Sequence, residues 1–397
     1  MFHQRAKLLV AATAMLLSVA GCTKKTDSVS QSGADSSAAA VTQSGDEILI
    51  GEVGSLTGSE ATFGTSTRDG IDLAIKQINS EGGIKGKKLR VIVMDDQGKP
   101  EEAATAVTKL ITQDKVTAIL GEVASSRSLA MGPIAQSHKV PMVTPSSTNP
   151  KVTQVGDYVF RVCFIDPFQG SVMAKFATDT LKVKKAAILR DIKNDYSVGL
   201  ANFFTETFKK TGGEVVVDQS YSAGDVDFKS QLTSIKGKNP EVIFVPGYYT
   251  EVGLIARQAR ELGIKAPLLG GDGWDSTKLT EIGGNALNGS YFSNHYSPDD
   301  KSPTVQKFIA DYKAMFGAVP DGLAAMGYDA AMVLADAMKR APTLSNEAIR
   351  DALAETKAYP GVTGKITIDK NRDAVKSAVV IEIKPSGFTF KETIDPS

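Results

Sequence analysis

Cysteine, histidine and tryptophan are scarce: two, three and one in 397 residues. Cys22 and Cys163 have neither a metal-binding nor a redox spacing. His3, His138 and His295 are too scattered to build a histidine metal site. Excess charge of either sign is absent as well. Lysine plus arginine and aspartate plus glutamate number 45 each, so the charge balance favours neither nucleic acid nor an anionic membrane surface. The apolar run Leu8 to Val19 is too short to span a bilayer. Catalytic signatures are missing too: there is no phosphate loop, GxSxG elbow, HExxH or CxxC. The first glycine-rich turn, GSLTGSEATFG, lacks dinucleotide-binding spacing. No cofactor and no metal are expected, and an enzyme is the lesser reading.

What is present begins with an address. Arg5 and Lys7 precede the apolar run, and Val19-Ala20-Gly21-Cys22 closes it. That ending resembles a bacterial lipobox. Residues 1–22 are therefore expected to be a lipoprotein signal peptide, with Cys22 lipidated as the mature N-terminus. The alternative is an ordinary secretory signal with a coincidental cysteine. Residues 23–45 are Ser, Ala, Gly, Gln and Thr with few apolar groups, the composition of a flexible tether. Cys163, left without a partner, reads as a small buried hydrophobe.

From residue 46 the apolar pattern alternates between strand and helix spacing. Glu47–Val53, Leu89–Met94, Thr117–Leu120 and Val140–Val143 read as strands. Between them lie a helix over Thr67–Asn79, striped by Ile71, Ala74, Ile75 and Ile78, and one from Pro100 to about Gln113. A second unit of the same kind follows, with strands at Lys185–Leu189, Glu214–Val217, Val242–Val245 and Pro267–Leu269. Pro303–Lys357 is mostly helical, and Gly364–Ile368 and Ala378–Ile383 are further strands. The expected fold is α/β: two Rossmann-like lobes with mostly parallel sheets and a cleft between them.

The polar residues of interest follow strand ends. Ser125 and Ser126 come after one strand, and Thr144 to Thr148 after the next. Asp195-Tyr196, Tyr248-Tyr249 and Asp272 follow others, and Phe63 sits in the first loop. Pro133 is expected to delay the helix after Ser125. In a parallel sheet such ends share one edge, where open α/β folds bind ligands. Hydroxyls and free N–H groups suit a carboxylate, and an acid walled by aromatics suits an ammonium. A free amino acid needs that set. The plainer reading is helix caps, turn residues and core aromatics.

Several segments carry a family resemblance. They are Gly70-Ile71-Asp72-Leu73-Ala74 with Ile78-Asn79, Glu81-Gly82-Gly83-Ile84-Lys85-Gly86, Asp95-Asp96, Pro141-Met142-Val143-Thr144-Pro145 and Arg257-Gln258-Ala259-Arg260. The chain resembles the periplasmic leucine/isoleucine/valine-binding proteins, substrate receptors of branched-chain amino-acid ABC transporters, over nearly all of residues 46–390. The resemblance implies the type I fold, two lobes closing on a ligand in the interlobe cleft about a three-crossover hinge near residues 164, 295 and 362. Lobe 1 would hold 46–164 and 295–361, and lobe 2 would hold 165–294 and 362–397.

It also implies roles. Ser125 and Thr148 would hold the ligand carboxylate. Ser146, through its carbonyl, and Thr148 would share the ammonium with Asp272. Tyr196 and Tyr248 would close from lobe 2, with Phe63 and Leu323 against the ligand side chain. Three departures stand out. Gln97 and Ala124 occupy the places of a family disulfide, Asp272 replaces a glutamate, and Ser146 replaces an alanine. Arg127 is either a solvated helix-start arginine or a reader of a second ligand acid. The implied function is capture of leucine, isoleucine or valine for an ABC permease. The carrier would be a monomer, lipid-anchored in the periplasm or at the cell surface. The alternatives are a receptor of the same fold for an aromatic acid, an amide or an acidic amino acid, in transport or sensing, and a two-lobed α/β enzyme.

Overall fold

The structure, a computed structural model, describes residues 47–396. The expected signal peptide, the lipidation of Cys22 and the tether lie outside them. Lobe 1 opens with β1 (Glu47–Gly54), α1 (Ala61–Ser80), β2 (Lys88–Asp95) and α2 (Pro100–Thr112). It continues with β3 (Ala118–Leu120), α3 (Ser125–Ser137), β4 (Met142–Thr144), α4 (Lys151–Gln154) and β5 (Val159–Arg161). The five strands form one parallel sheet in the order β2-β1-β3-β4-β5. After Glu47 every residue of β1 is buried, as a strand covered on both faces requires.

Lobe 2 follows with α5 (Asp166–Lys175), β6 (Lys185–Asp191), α6 (Asp195–Lys210) and β7 (Glu214–Tyr221). Then come α7 (Lys229–Gly237), β8 (Val242–Phe244), α8 (Tyr249–Glu261), β9 (Leu268–Gly270), α9 (Thr277–Gly283) and β10 (Tyr291–Asn294). The chain returns to lobe 1 for α10 (Pro303–Phe316), α11 (Gly322–Arg340) and α12 (Asn346–Ala354). A small antiparallel sheet of β11 (Tyr359–Gly361), β12 (Gly364–Ile368) and β13 (Ala374–Val375) comes next. β14 (Ala378–Lys384) and β15 (Gly387–Ile394) then add an antiparallel edge to the lobe 2 sheet, whose order is β15-β14-β10-β9-β8-β6-β7. Among the described residues no helix is long and apolar enough to cross a membrane.

Three features differ from the sequence reading. The third crossing between lobes falls between β13 and β14, not near residue 362. Ile366, Ile368 and Ala374 pack into the lobe 1 core with Ile48, Ile71 and Met338, and that burial keeps β12 and β13 on the first lobe. Phe63 lies in the first turn of α1 rather than in a loop. Helix α3 starts at Ser125 and runs through Pro133, which therefore forfeits one backbone bond inside the helix.

Two glycines set the spacing of α1 and α11. A Cβ on Gly70 would collide with the Ala324 carbonyl oxygen, and one on Gly327 with the Thr67 carbonyl oxygen. The helices thus meet backbone to backbone, which anchors the start of α11 beside the cleft.

Candidate functional site

The polar side chains come from the carboxyl ends of parallel strands of both lobes. Beyond β3 the chain places Val123 and Ser125, and beyond β4 it places Ser146 and Thr148. Beyond β6 it places Tyr196, beyond β8 Tyr248, and beyond β9 Asp272 and Gly273. Phe63 enters from α1 and Leu323 from the first turn of α11. One cavity, with an empty volume of about 250 Å³, is lined by Phe63, Val123, Ser125, Ser146, Tyr196, Tyr248, Asp272, Gly273 and Leu323. The structure therefore gathers seven of the expected residues on one cavity. Thr148 is the exception: it is buried nearby but does not line the wall.

Each wall is fixed by its own local structure. Ser125 opens α3, where backbone N–H groups lack intrahelical partners, and its Oγ accepts the Asn149 N–H at 3.1 Å. Its hydroxyl proton remains available. Tyr196 sits in the first turn of α6, capped by Asn194, and its Oη accepts the Gly273 N–H at 3.2 Å. Tyr248 stacks on Tyr196, with centroids 5.4 Å apart, and receives the Phe63 ring edge-on at 5.2 Å. Asp272 begins a short 3-10 turn, its N–H donating to Gln169 Oε1 at 2.9 Å and its Oδ2 3.0 Å from His295 Nε2. A side chain at Gly273 would meet the Tyr248 ring at 2.8 Å, so that turn needs glycine for close approach.

Polar groups here are left over. Ser146 Oγ and Asp272 Oδ1 are buried without a hydrogen-bond partner in the protein, whereas the Thr148 hydroxyl faces the Asp166 carboxyl. Such unpaired atoms cost roughly 1–3 kcal/mol each unless something pairs with them. Burial raises the Tyr196 and Tyr248 phenols well above their ordinary pKa, so both stay neutral donors. Burial also pushes the Asp166 carboxyl up to about 8, opposed by the Thr148 hydroxyl and reinforced by Asp272.

The lobes meet across the cleft. Thr62 N–H donates to Tyr249 Oη at 3.3 Å, and Thr250 Oγ1 donates to the Ser59 carbonyl at 2.8 Å. Ser126 Oγ donates to Asp195 Oδ2 at 3.0 Å and accepts the Asp195 N–H at 3.1 Å. Asn149 Nδ2 donates to the Asp195 carbonyl at 2.8 Å. Ser125 and Ser126, read as possible caps, make no capping bond in α3.

Arg127 fits neither expectation. It is 4% exposed and is absent from the cavity wall. Its guanidinium pairs with Glu60 at 2.7 Å and Glu122 at 2.9 Å, with Asp96 at 3.8 Å. Sequence reasoning also missed Val123 and Gly273 as wall residues, and the support of Asp272 by Gln169 and His295. These residues carry no signal of their own, since only the folded chain brings them to the site. Cys163 is buried, donates weakly to the Ser147 carbonyl, and has its thiol pushed up to about 12 by burial, so it is no nucleophile. Among the described residues no group of three metal-type side chains clusters.

Residues 47–388 match the family model described as periplasmic binding protein. The Leu/Ile/Val-binding protein BraC3 of Rhizobium johnstonii is 34% identical over 329 residues, 82% of this chain and 89% of the relative. Among solved structures, a leucine binding protein LivK from Thermotoga maritima is 43% identical with a TM-score of 0.85, covering 88% of this chain and 99% of that one. LivJ from Streptococcus pneumoniae, a branched-chain amino acid transporter substrate binding protein in complex with isoleucine, is 35% identical. Its TM-score is 0.84, over 88% of this chain and 100% of that one.

Proposed function

The chain belongs to the periplasmic binding protein family, and on that premise we propose that it captures leucine, isoleucine or valine by lobe closure and delivers it to an ABC permease. The family is one of extracytoplasmic binding proteins, not enzymes. One observation carries the proposal. The interlobe cavity joins an apolar wall of Phe63, Val123 and Leu323 to Ser146 and Asp272, each with a buried oxygen lacking a protein partner. An α-amino acid with an aliphatic side chain complements both halves. Its carboxylate would dock on Ser125 at the start of α3 and on Thr148 beyond β4. Its ammonium would pair with Asp272 and the Ser146 carbonyl, and Tyr196 and Tyr248 would cover it. No lining residue is cationic, which disfavours a ligand with a second acid. The names of BraC3, LivK and LivJ support the same ligand class.

The proposed carrier is a monomer held at the membrane by a lipid on Cys22. Replacing Cys22 with Ser should then move it from the membrane fraction to the soluble one.

The test of the ligand is a thermal-shift screen of residues 46–397 against the twenty amino acids, benzoate, urea and short amides. A ligand selective for the folded state stabilises it by about 4 kcal/mol at a thousandfold excess over its Kd. Shifts confined to leucine, isoleucine and valine support the proposal. A shift from benzoate or an amide alone refutes the amino-acid site.

A further inference from the structure

The side chain of Asp272 is held from one side only. Its Oδ2 meets His295 Nε2 at 3.0 Å, while Oδ1 has no protein partner. His295 is 3% exposed and directly follows β10, at the second crossing between lobes. Its ring stacks on Phe164 from the first crossing, with centroids 3.8 Å apart and planes at 28°. Its backbone N–H donates to Asn294 Oδ1 at 2.7 Å. The ring is therefore clamped by packing, and Nδ1 has no partner. Burial holds its pKa below the ordinary value, opposed by Asp272 and aided by the Lys376 ammonium of the third crossing. A neutral imidazole carries one N–H, and beside a carboxylate that proton belongs on Nε2.

We infer that His295 is a positioning residue that fixes Asp272 Oδ2 and presents Oδ1 to the ligand ammonium. The inference rests on the reading of Asp272 given above. A lysine or arginine in that place would neutralise Asp272 and compete with the ammonium. A neutral donor orients the carboxylate and leaves its charge for the ligand. His295 thereby sets how strongly the site prefers an amine-bearing acid over the same acid without its amine. The hinge strands supply that orientation, since Phe164 and His295 belong to two of the three crossings.

The experiment is calorimetric titration of the purified protein with leucine and with 4-methylpentanoate, which is leucine without its amine. The native protein should prefer leucine strongly. His295→Phe keeps the stack on Phe164 and deletes the donor. It should raise the leucine Kd by about ten- to a hundredfold and change the 4-methylpentanoate Kd by less than about threefold. His295→Gln, whose amide nitrogen can reach the Nε2 position, should return leucine to within about fivefold of native. Equal losses for both ligands, without recovery in His295→Gln, mark a merely structural histidine and overturn the inference. Should His295→Phe not fold, long-range proton–nitrogen NMR of the native leucine complex decides. The Nε2–H tautomer at His295 upholds the inference, and the Nδ1–H tautomer overturns it. A native protein with no preference for leucine refutes the Asp272 ammonium site itself, and that result comes before any variant is made.

Discussion

Phe63→Ala tests what lobe closure contributes. Phe63 belongs to lobe 1 and is 1% exposed, and its ring meets two lobe 2 rings edge-on, Tyr248 at 5.2 Å and Tyr249 at 5.1 Å. An aromatic pair of this geometry contributes about 0.5–1.5 kcal/mol beyond area burial, so the two pairs contribute about 1–3 kcal/mol. Burial of the ring against lobe 2 adds to that figure, but the part already covered by lobe 1 cancels between open and closed arrangements. The pair energy is therefore a floor. The closed complex should weaken by about 1–3 kcal/mol, five- to more than a hundredfold in affinity. Docking of the carboxylate on Ser125 and Thr148 precedes closure in this mechanism, and there the ring meets only the ligand side chain. The loss should therefore fall on the off-rate, with the on-rate within about threefold of native.

The chain carries its own reporter. Trp274, its single tryptophan, is buried in the same turn as Asp272, and its Nε1 donates to the Val245 carbonyl at 3.0 Å. Stopped-flow fluorescence with leucine should yield both rates from that side chain. Tyr249→Phe is the control. It keeps the ring contact with Phe63 and loses only the Oη bond from Thr62 N–H, worth about 0.5–1.5 kcal/mol at most in this half-buried place. An unchanged off-rate in Phe63→Ala, or a loss carried by the on-rate, would refute trapping by closure.

Other outcomes test the carboxylate site, a buried acid and the helix contact. Ser125→Ala and Thr148→Ala should each abolish leucine binding detectable by calorimetry, whereas Tyr248→Ala should mainly raise the off-rate; small, equal losses in all three would put the ligand elsewhere. Glu52, buried in β1, has its carboxyl pushed from the ordinary 4.5 up to about 8 by burial, then by Asp72 and Asp69 against Arg68. The folded chain therefore binds that proton more tightly than the unfolded chain, and the stability it brings is complete below about pH 4.5 and lost as pH rises through about 8. Glu52→Gln does not titrate, so its Tm relative to native should climb from about pH 5 to about pH 8, and a flat difference over that window counts against the assignment. Gly70→Ala forces a methyl into the Ala324 backbone and should cost about 3 kcal/mol or more by urea denaturation. Gly132→Ala, with only ordinary contact to Val155 at 3.4 Å, should cost little.

Much of the fold was legible because its strands are short apolar runs divided by amphipathic helices, the pattern a parallel sheet covered on both faces demands. The elements that escaped lack that pattern. β5 has three residues, and β10 has four in a segment rich in polar groups. β15 has no fully buried residue, lies along a sheet edge and pairs antiparallel with β14. β12 was recognisable as a strand, but its lobe was not. Strand propensity is local, whereas the choice between two sheets depends on whether Ile366 and Ile368 bury against the lobe 1 core. Pro133 misled for a related reason: one forfeited backbone bond outweighs neither the packing of Met131 and Ala135 nor the eight helical residues before it.

At the site, the wall was legible and its support was not. Ser125, Tyr196, Tyr248 and Asp272 follow strand ends, which sequence can locate and which the family resemblance names. Arg127 shows what sequence leaves out. Its partners Glu60, Asp96 and Glu122 come from three other segments of the chain, and no spacing relates them. Three carboxyls around one guanidinium leave excess negative charge in a buried place. The Asp96 carboxyl is accordingly pushed up to about 7, by burial first and by Glu122 next, against Arg127. A protonated Asp96 removes one of those charges and still accepts from Ser55 Oγ at 2.8 Å. Glu60 immediately precedes α1, which carries Phe63, and Arg127 lies in the first turn of α3, which carries Ser125. The ion pair therefore ties the helix that would meet the ligand side chain to the helix that would meet its carboxylate. An arginine read as a ligand-seeking or solvated charge is instead part of the frame that sets the distance between two walls of one lobe.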